Sequence, residues 1–181
     1  MIPFPKKKYN IIYADPAWSY GGTIPQHIDS RRKHGQFYSV METDEISKLP
    51  INKITNENAI LFMWATFPLL DQALRVIRDW GFEYKTCAFT WIKKNKKSDS
   101  FFWGMGMWTR SNAEVCLIGT KGKPKRNSAS VHQVVYEPIR EHSRKPDCVR
   151  DRIVELCGDL PRIELFARQK VDGWDCWGNE V

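Results

Sequence analysis

The chain has 181 residues, 42% of them hydrophobic and 27% charged, enough for one full core and too few for two comfortable domains. Lys and Arg outnumber Asp and Glu by 28 to 21, a net charge of +7 that favours a polyanionic partner but says nothing of fold. The five cysteines are odd in number and form no C-x-x-C pair, and no window reaches the apolar length of a membrane span; these features argue against a zinc site, a disulfide framework and a membrane protein.

Lysines 6 to 8 precede no apolar stretch of signal-peptide length, so a cytoplasmic protein is expected. The first strand expected is Tyr9–Ala14, which stops abruptly at "DPAW". A short helix follows at "TDEISKLP", with Thr43 as its cap and Ile46 and Leu49 facing inward. Ala59–Ala65 reads as a second strand. "PLLDQALRVIRDWGF" has helical spacing: Leu70, Ala73, Leu74, Ile77 and Trp80 share a face, Pro68 suits the start and Gly81 the stop. Strands are then expected at Thr86–Ile92, Val115–Gly119 and Val134–Ile139. In "KPDCVRDRIVELCG", Pro146 opens a helix with a stripe of Val149, Ile153 and Leu156, and Gly158 closes it. The last strand expected is Ile163–Ala167.

Three stretches read as loops: 19–37, 93–112 and 121–133, all rich in Lys or Arg. Gly104 and Gly106, between Trp103 and Trp108, suggest a flexible flap. Apolar runs alternating with helices indicate an α/β fold, its mainly parallel sheet covered on both faces by helices. In such sheets ligands bind beyond the carboxyl ends of the strands. One domain, 1–181, is expected.

The rule gives the "DPAW" turn its interest, because it delivers a carboxylate and an indole to a strand's carboxyl end. An aromatic amine is a poor nucleophile while its lone pair is delocalised into the ring. If Asp15 and the carbonyl of Pro16 both accept hydrogen bonds from it, the lone pair can localise and attack a methyl group in line. Proline fixes φ, so that carbonyl is aimed reproducibly. Trp18 offers a stacking surface for a base. The plainer reading of D-P-x-W alone is a strand-ending turn.

Three further segments add weight. "HSRKPD" puts Lys145 at a helix N-terminus, where an anion or a ribose hydroxyl can be held; its plainer reading is a solvated cap. "IELFARQK" places Glu164 and Arg168 around a strand end, otherwise a surface ion pair. The terminal "GWDCWGNEV" holds Asn179 and Glu180, otherwise a disordered tail.

In order along the chain, "ADPAWSY", "YSVMETDEISKLP", "AILFMWAT", "WGFEYKTCAFTWIK", "TRSNAEVCLIGTKGKP", "EHSRKPD", "IELFAR" and "GNE" resemble the MT-A70 family of adenine-N6 nucleic-acid methyltransferases. The resemblance implies a Rossmann-like fold dependent on S-adenosyl-L-methionine, with permuted order, the catalytic turn preceding the cofactor segment. It implies that Asp15 is the catalytic acid and also lies against the cofactor, that Pro16 supplies the carbonyl and that Trp18 stacks the target base. Lys145, Arg168, Asn179 and Glu180 match cofactor-contacting positions, with Glu164 close by. Tyr38 and Trp91 match substrate-side positions. The family usually reads D-P-P-W; here Ala17 stands for the second proline, which removes a restriction on Pro16 and predicts looser positioning. The acidic segment that precedes the catalytic strand in the longer eukaryotic members has no match among residues 1–8.

Lys93, Lys94, Lys96 and Lys97, and separately Lys121, Lys123, Lys125 and Arg126, are expected to neutralise phosphates; the plainer reading is solvated loops. The habit of compact bacterial and phage relatives favours DNA over RNA as substrate. RNA adenine methylation is the runner-up, and a catalytically inactive nucleic-acid-binding subunit is a reading from another class. Relatives pair, leaving a homodimer or a hetero-partner open. No metal is expected.

Overall fold

Strands apolar along their whole length need cover on both faces, and two of the runs above occupy the middle of the sheet. In a computed structural model describing residues 3–20, 40–106, 108–141 and 144–181, β1 (Tyr9–Ala14) and β2 (Thr55–Ala65) are parallel neighbours, and all of β1 but Asn10 is buried. The other strands are β3 (Glu83–Lys94), β4 (Ala113–Lys121), β5 (Val134–Pro138), β6 (Arg162–Leu165) and β7 (Asp175–Trp177), in the order β5-β3-β4-β2-β1-β6-β7. Among the described strands only β4 is reversed, pairing antiparallel with both β2 and β3. Every other strand ends at one edge of the sheet, and β4 begins there.

Helices cover both faces, as expected for the α/β class. On one face α1 (Thr43–Ser47) and α2 (Leu70–Asp79) supply Ile46, Ala73, Val76 and Ile77 to a core with Ile12, Leu61 and Met63. On the other, α3 (Cys148–Cys157) supplies Val149, Ile153 and Cys157 to a core with Tyr13, Phe62, Trp64 and Trp91. Trp80 at the end of α2 donates its indole N–H to the Ile46 carbonyl and so ties α2 to α1. No described helix is long and apolar enough to cross a membrane.

Two local expectations are corrected. Glu42, not Thr43, is the N-cap of α1: its side chain accepts from the Glu45 N–H while the Glu45 carboxylate accepts from the Glu42 N–H. The Thr43 hydroxyl instead meets Gln72 of α2. β6 stops at Leu165 rather than Ala167, because Phe166 has φ 60 and turns the chain out of the ladder. The C-terminal stretch is not a loose tail either: β7 pairs with β6, and Trp177 stacks on Phe4 at 4.3 Å.

Candidate active site

Ala14, Leu165 and Trp177 share one row of the sheet, so the residues just beyond them emerge side by side at the carboxyl edge. Asp15 follows β1 there. Its turn is fastened from three sides: Trp18 N–H donates to the Pro16 carbonyl at 2.9 Å, Met41 N–H to the Ala17 carbonyl, and Ser19 N–H to the Met41 carbonyl. A bond from residue i+2 back to residue i closes a γ-turn around Ala17. Phe166 is the single described non-glycine residue with positive φ, so the turn is the inverse form, with Ala17 at negative φ. Pro16 is buried, and its oxygen, which already accepts from Trp18, has the second lone pair of any carbonyl.

Trp18 is 7% exposed and donates its indole N–H to the Trp64 carbonyl at 3.1 Å. Its ring belongs to the core and pins the turn against β2, and no broad stacking face is presented. Trp91 is likewise buried, donating to the Glu137 carbonyl.

Above this aromatic floor sits a chain of alternating charges. The Lys145 ammonium lies 2.9 Å from the Asp15 carboxylate and 3.3 Å from Glu114; the other oxygen of Glu114 meets Lys93 at 2.5 Å. Lys145 lies 5.6 Å over the Trp64 ring and Lys93 5.2 Å over Trp91, while Trp64 donates to the Tyr13 hydroxyl at 2.7 Å. Burial alone would push Lys145 toward its neutral form, but Asp15 and Glu114 outweigh it and raise its pKa above the ordinary value. Burial likewise opposes ionisation of Glu114, and Lys145 and Lys93 overcome it, holding the carboxyl below the usual range.

Beside this cluster, the Arg150 guanidinium grips Glu164 with two parallel bonds of 2.7 Å, and its third arm meets Asp147 at 2.8 Å. The Glu164 carboxylate is therefore committed to a buried pair at the start of α3. Past Phe166, the Ala167 N–H donates to the Trp177 carbonyl, and Gly178 lies so close that a Cβ there would stand 2.5 Å from the Ala167 oxygen. That contact sets Asn179 and Glu180 beside Arg168, whose Nε is 3.7 Å from Glu180.

The structure brings Asp15, Pro16, Lys93, Lys145, Arg168, Asn179 and Glu180 to one edge. Lys94 lies there too, paired with Asp99 and over the Tyr136 ring, as does Lys96, paired with Glu141; Lys97 is exposed. Lys121, Lys123, Lys125 and Arg126 are elsewhere. Lys121 is the last residue of β4 and the other three follow it, eight residues or about 27 Å along the strand from its first residue. Tyr38 lies outside the described residues. Glu114 and Arg150 were not expected at the site. The signal for Glu114, an acid opening an apolar run, was present; only the reversal of β4 gives it meaning.

The edge offers carboxylates at Asp15 and Glu180, cations at Lys145 and Arg168, and an amide at Asn179. Such a set suits a ligand carrying an ammonium, a carboxylate and a ribose diol. Together with the mixed sheet it matches the arrangement of an S-adenosylmethionine-dependent methyltransferase, the class to which the family match below assigns the chain. Residues 9–180 match the MT-A70 family profile, and the chain belongs to the MT-A70 family. It is 35% identical to the Type II methyltransferase M.MunI from a Mycoplasma species, over 98% of this chain and 79% of that relative. It is 27% identical to the human N(6)-adenosine-methyltransferase catalytic subunit METTL3 over 96% of its length, and 26% identical to an Arabidopsis thaliana N(6)-adenosine-methyltransferase MT-A70-like protein over the same share. The chain spans only 28% and 24% of those two proteins.

Proposed function

We propose that this chain, acting as a single cytoplasmic domain, methylates the N6 amine of adenine in DNA. The observation that carries the chemistry is the Asp15–Pro16 turn, two acceptors held at the carboxyl edge by the γ-turn and by the ion pair to Lys145. DNA rather than RNA is supported by the relatives' order: the Type II methyltransferase stands at 35% identity, and those named for adenosine at 26–27%. The five free cysteines support a reducing compartment.

S-Adenosylmethionine, when bound, supplies an electrophilic methyl group on a sulfonium. Lys145 and Asp15 would hold its amino-acid end, and Arg168, Asn179 and Glu180 its ribose. An Asp15 oxygen and the second lone pair of the Pro16 carbonyl would accept hydrogen bonds from the two N–H groups of the target amine, orienting its nitrogen lone pair out of the ring plane. Acceptors already fixed before the reaction spend no energy on reorientation. Trp18 keeps the turn in place from below. Extrusion of the adenine from a duplex is required to reach this edge.

Incubation with radiolabelled S-adenosylmethionine and parallel DNA and RNA, followed by digestion to nucleosides, tests this reading. N6-methyldeoxyadenosine is expected. Label in RNA alone would overturn the substrate, and transfer to neither polymer, with binding intact, would favour the inactive-subunit reading. Asp15→Ala should lower kcat roughly a hundred- to a thousandfold; full activity in that variant would overturn the mechanism.

A further inference from the structure

The connection between β3 and β4 projects from the same edge as Asp15 and bears an unusual surface. Phe101, Trp103 and Trp108 are 46%, 61% and 95% exposed, although water opposes leaving such rings uncovered. The connection is nevertheless built as a hairpin. Phe102 N–H donates to the Lys93 carbonyl, Gly104 N–H to the Ser111 carbonyl and Lys93 N–H to the Asn112 carbonyl, each at 2.9 Å. Phe101 bridges back to Lys94 and packs edge-on against Trp103 and Tyr136, at 5.9 and 5.7 Å.

Its glycines explain the tightness. A Cβ on Gly104 would stand 2.4 Å from the Ser111 oxygen, and one on Gly106 2.0 Å from the Thr109 oxygen. The two arms are pressed backbone to backbone, so these glycines serve close approach. Cations flank the rings: Lys97 and Arg110 are exposed and make no ion pair among the described residues.

Apolar rings on a stiff, cationic finger beside a base-modifying edge fit one occupant, the stack and phosphates of a DNA duplex. We propose that this hairpin is a wedge, with Trp108 at its end entering the helix to fill the gap left by the extruded adenine while Lys97 and Arg110 hold neighbouring phosphates. The proposal rests on the DNA reading above and assigns its base-opening step.

The test compares wild-type protein with Trp108→Ala and Trp103→Ala on two duplexes, one fully paired and one with the target adenine opposite an abasic site. Trp108→Ala should reduce kcat/KM on paired DNA roughly ten- to hundredfold and leave the abasic duplex nearly unaffected, because there the adenine is already unpaired. With 2-aminopurine at the target, wild-type protein should raise the fluorescence on binding and Trp108→Ala should not. Equal activity on paired DNA and an unchanged fluorescence rise in both variants would overturn the wedge, as would equal losses on both duplexes. Absence of transfer to DNA by the wild-type protein would instead overturn the DNA reading. Rescue of Trp108→Ala by Phe but not by Leu would mark stacking as the operative contact.

Discussion

Ala17 shows how a single residue can depart from a family pattern without dismantling the geometry it serves. The inverse γ-turn around it needs a φ near −75°, close to the value proline enforces. The Ala17 N–H has no hydrogen-bond partner among the described residues. Ala17→Pro should therefore stabilise the fold by about 0.4–1 kcal/mol, chiefly by restricting the unfolded chain, and should keep or raise kcat. Urea denaturation and a methyl-transfer assay check this, and a lower denaturation midpoint would show that the turn differs from the one described. At this scale the placement of Asp15, Pro16 and Lys145 at the carboxyl edge could be read from residue type and position. Glu114 could not, because an acid before an apolar run looks the same whichever way the strand runs. Trp18 shows the converse: its neighbours suggested a stacking surface, while its indole N–H found a backbone acceptor inside the core.

Elements were legible where the apolar period was long. α2 follows its predicted face and ends where Gly81 stands at φ 83, with Phe82 N–H donating to the Ile77 carbonyl and Gly81 N–H to the Arg78 carbonyl. Nothing lies within 4 Å of a Cβ at Gly81, so substitution there strains the backbone without crowding. Gly81→Ala should cost about 1–2 kcal/mol in urea denaturation with little change in kcat. A neutral result would mean the helix can end another way. β7 is not legible in the sequence, because three residues cannot display a period of two. The end of β6 was overrun because no rule of composition marks Phe166 for positive φ; the demand comes from the neighbouring Ala167–Trp177 contact.

On the scale of the whole molecule, the sheet separates two basic loops that looked equivalent in one dimension. Lys96 and Lys97 overlook the carboxyl edge, whereas Lys123, Lys125 and Arg126 lie at the opposite edge, near the end of α3, where Asn127 N–H donates to the Leu156 carbonyl. Affinity for a short duplex of about 12 base pairs should therefore depend on the first group. Lys96→Ser and Lys97→Ser together should flatten the slope of log K against log salt by about 0.9 for each phosphate no longer neutralised. Lys123→Ser, Lys125→Ser and Arg126→Ser together should leave the slope unchanged. A flattened slope in the triple variant would put DNA across the far edge.

The reversal of β4 has a consequence for how such a protein can change. Because β3 and β4 turn back on each other at the carboxyl rim, their junction is sealed by its own two stems, and length added at the tip grows outward without displacing anything beneath. Novel reach along a substrate can thus be acquired one insertion at a time, with the acid, the proline and the paired lysine untouched.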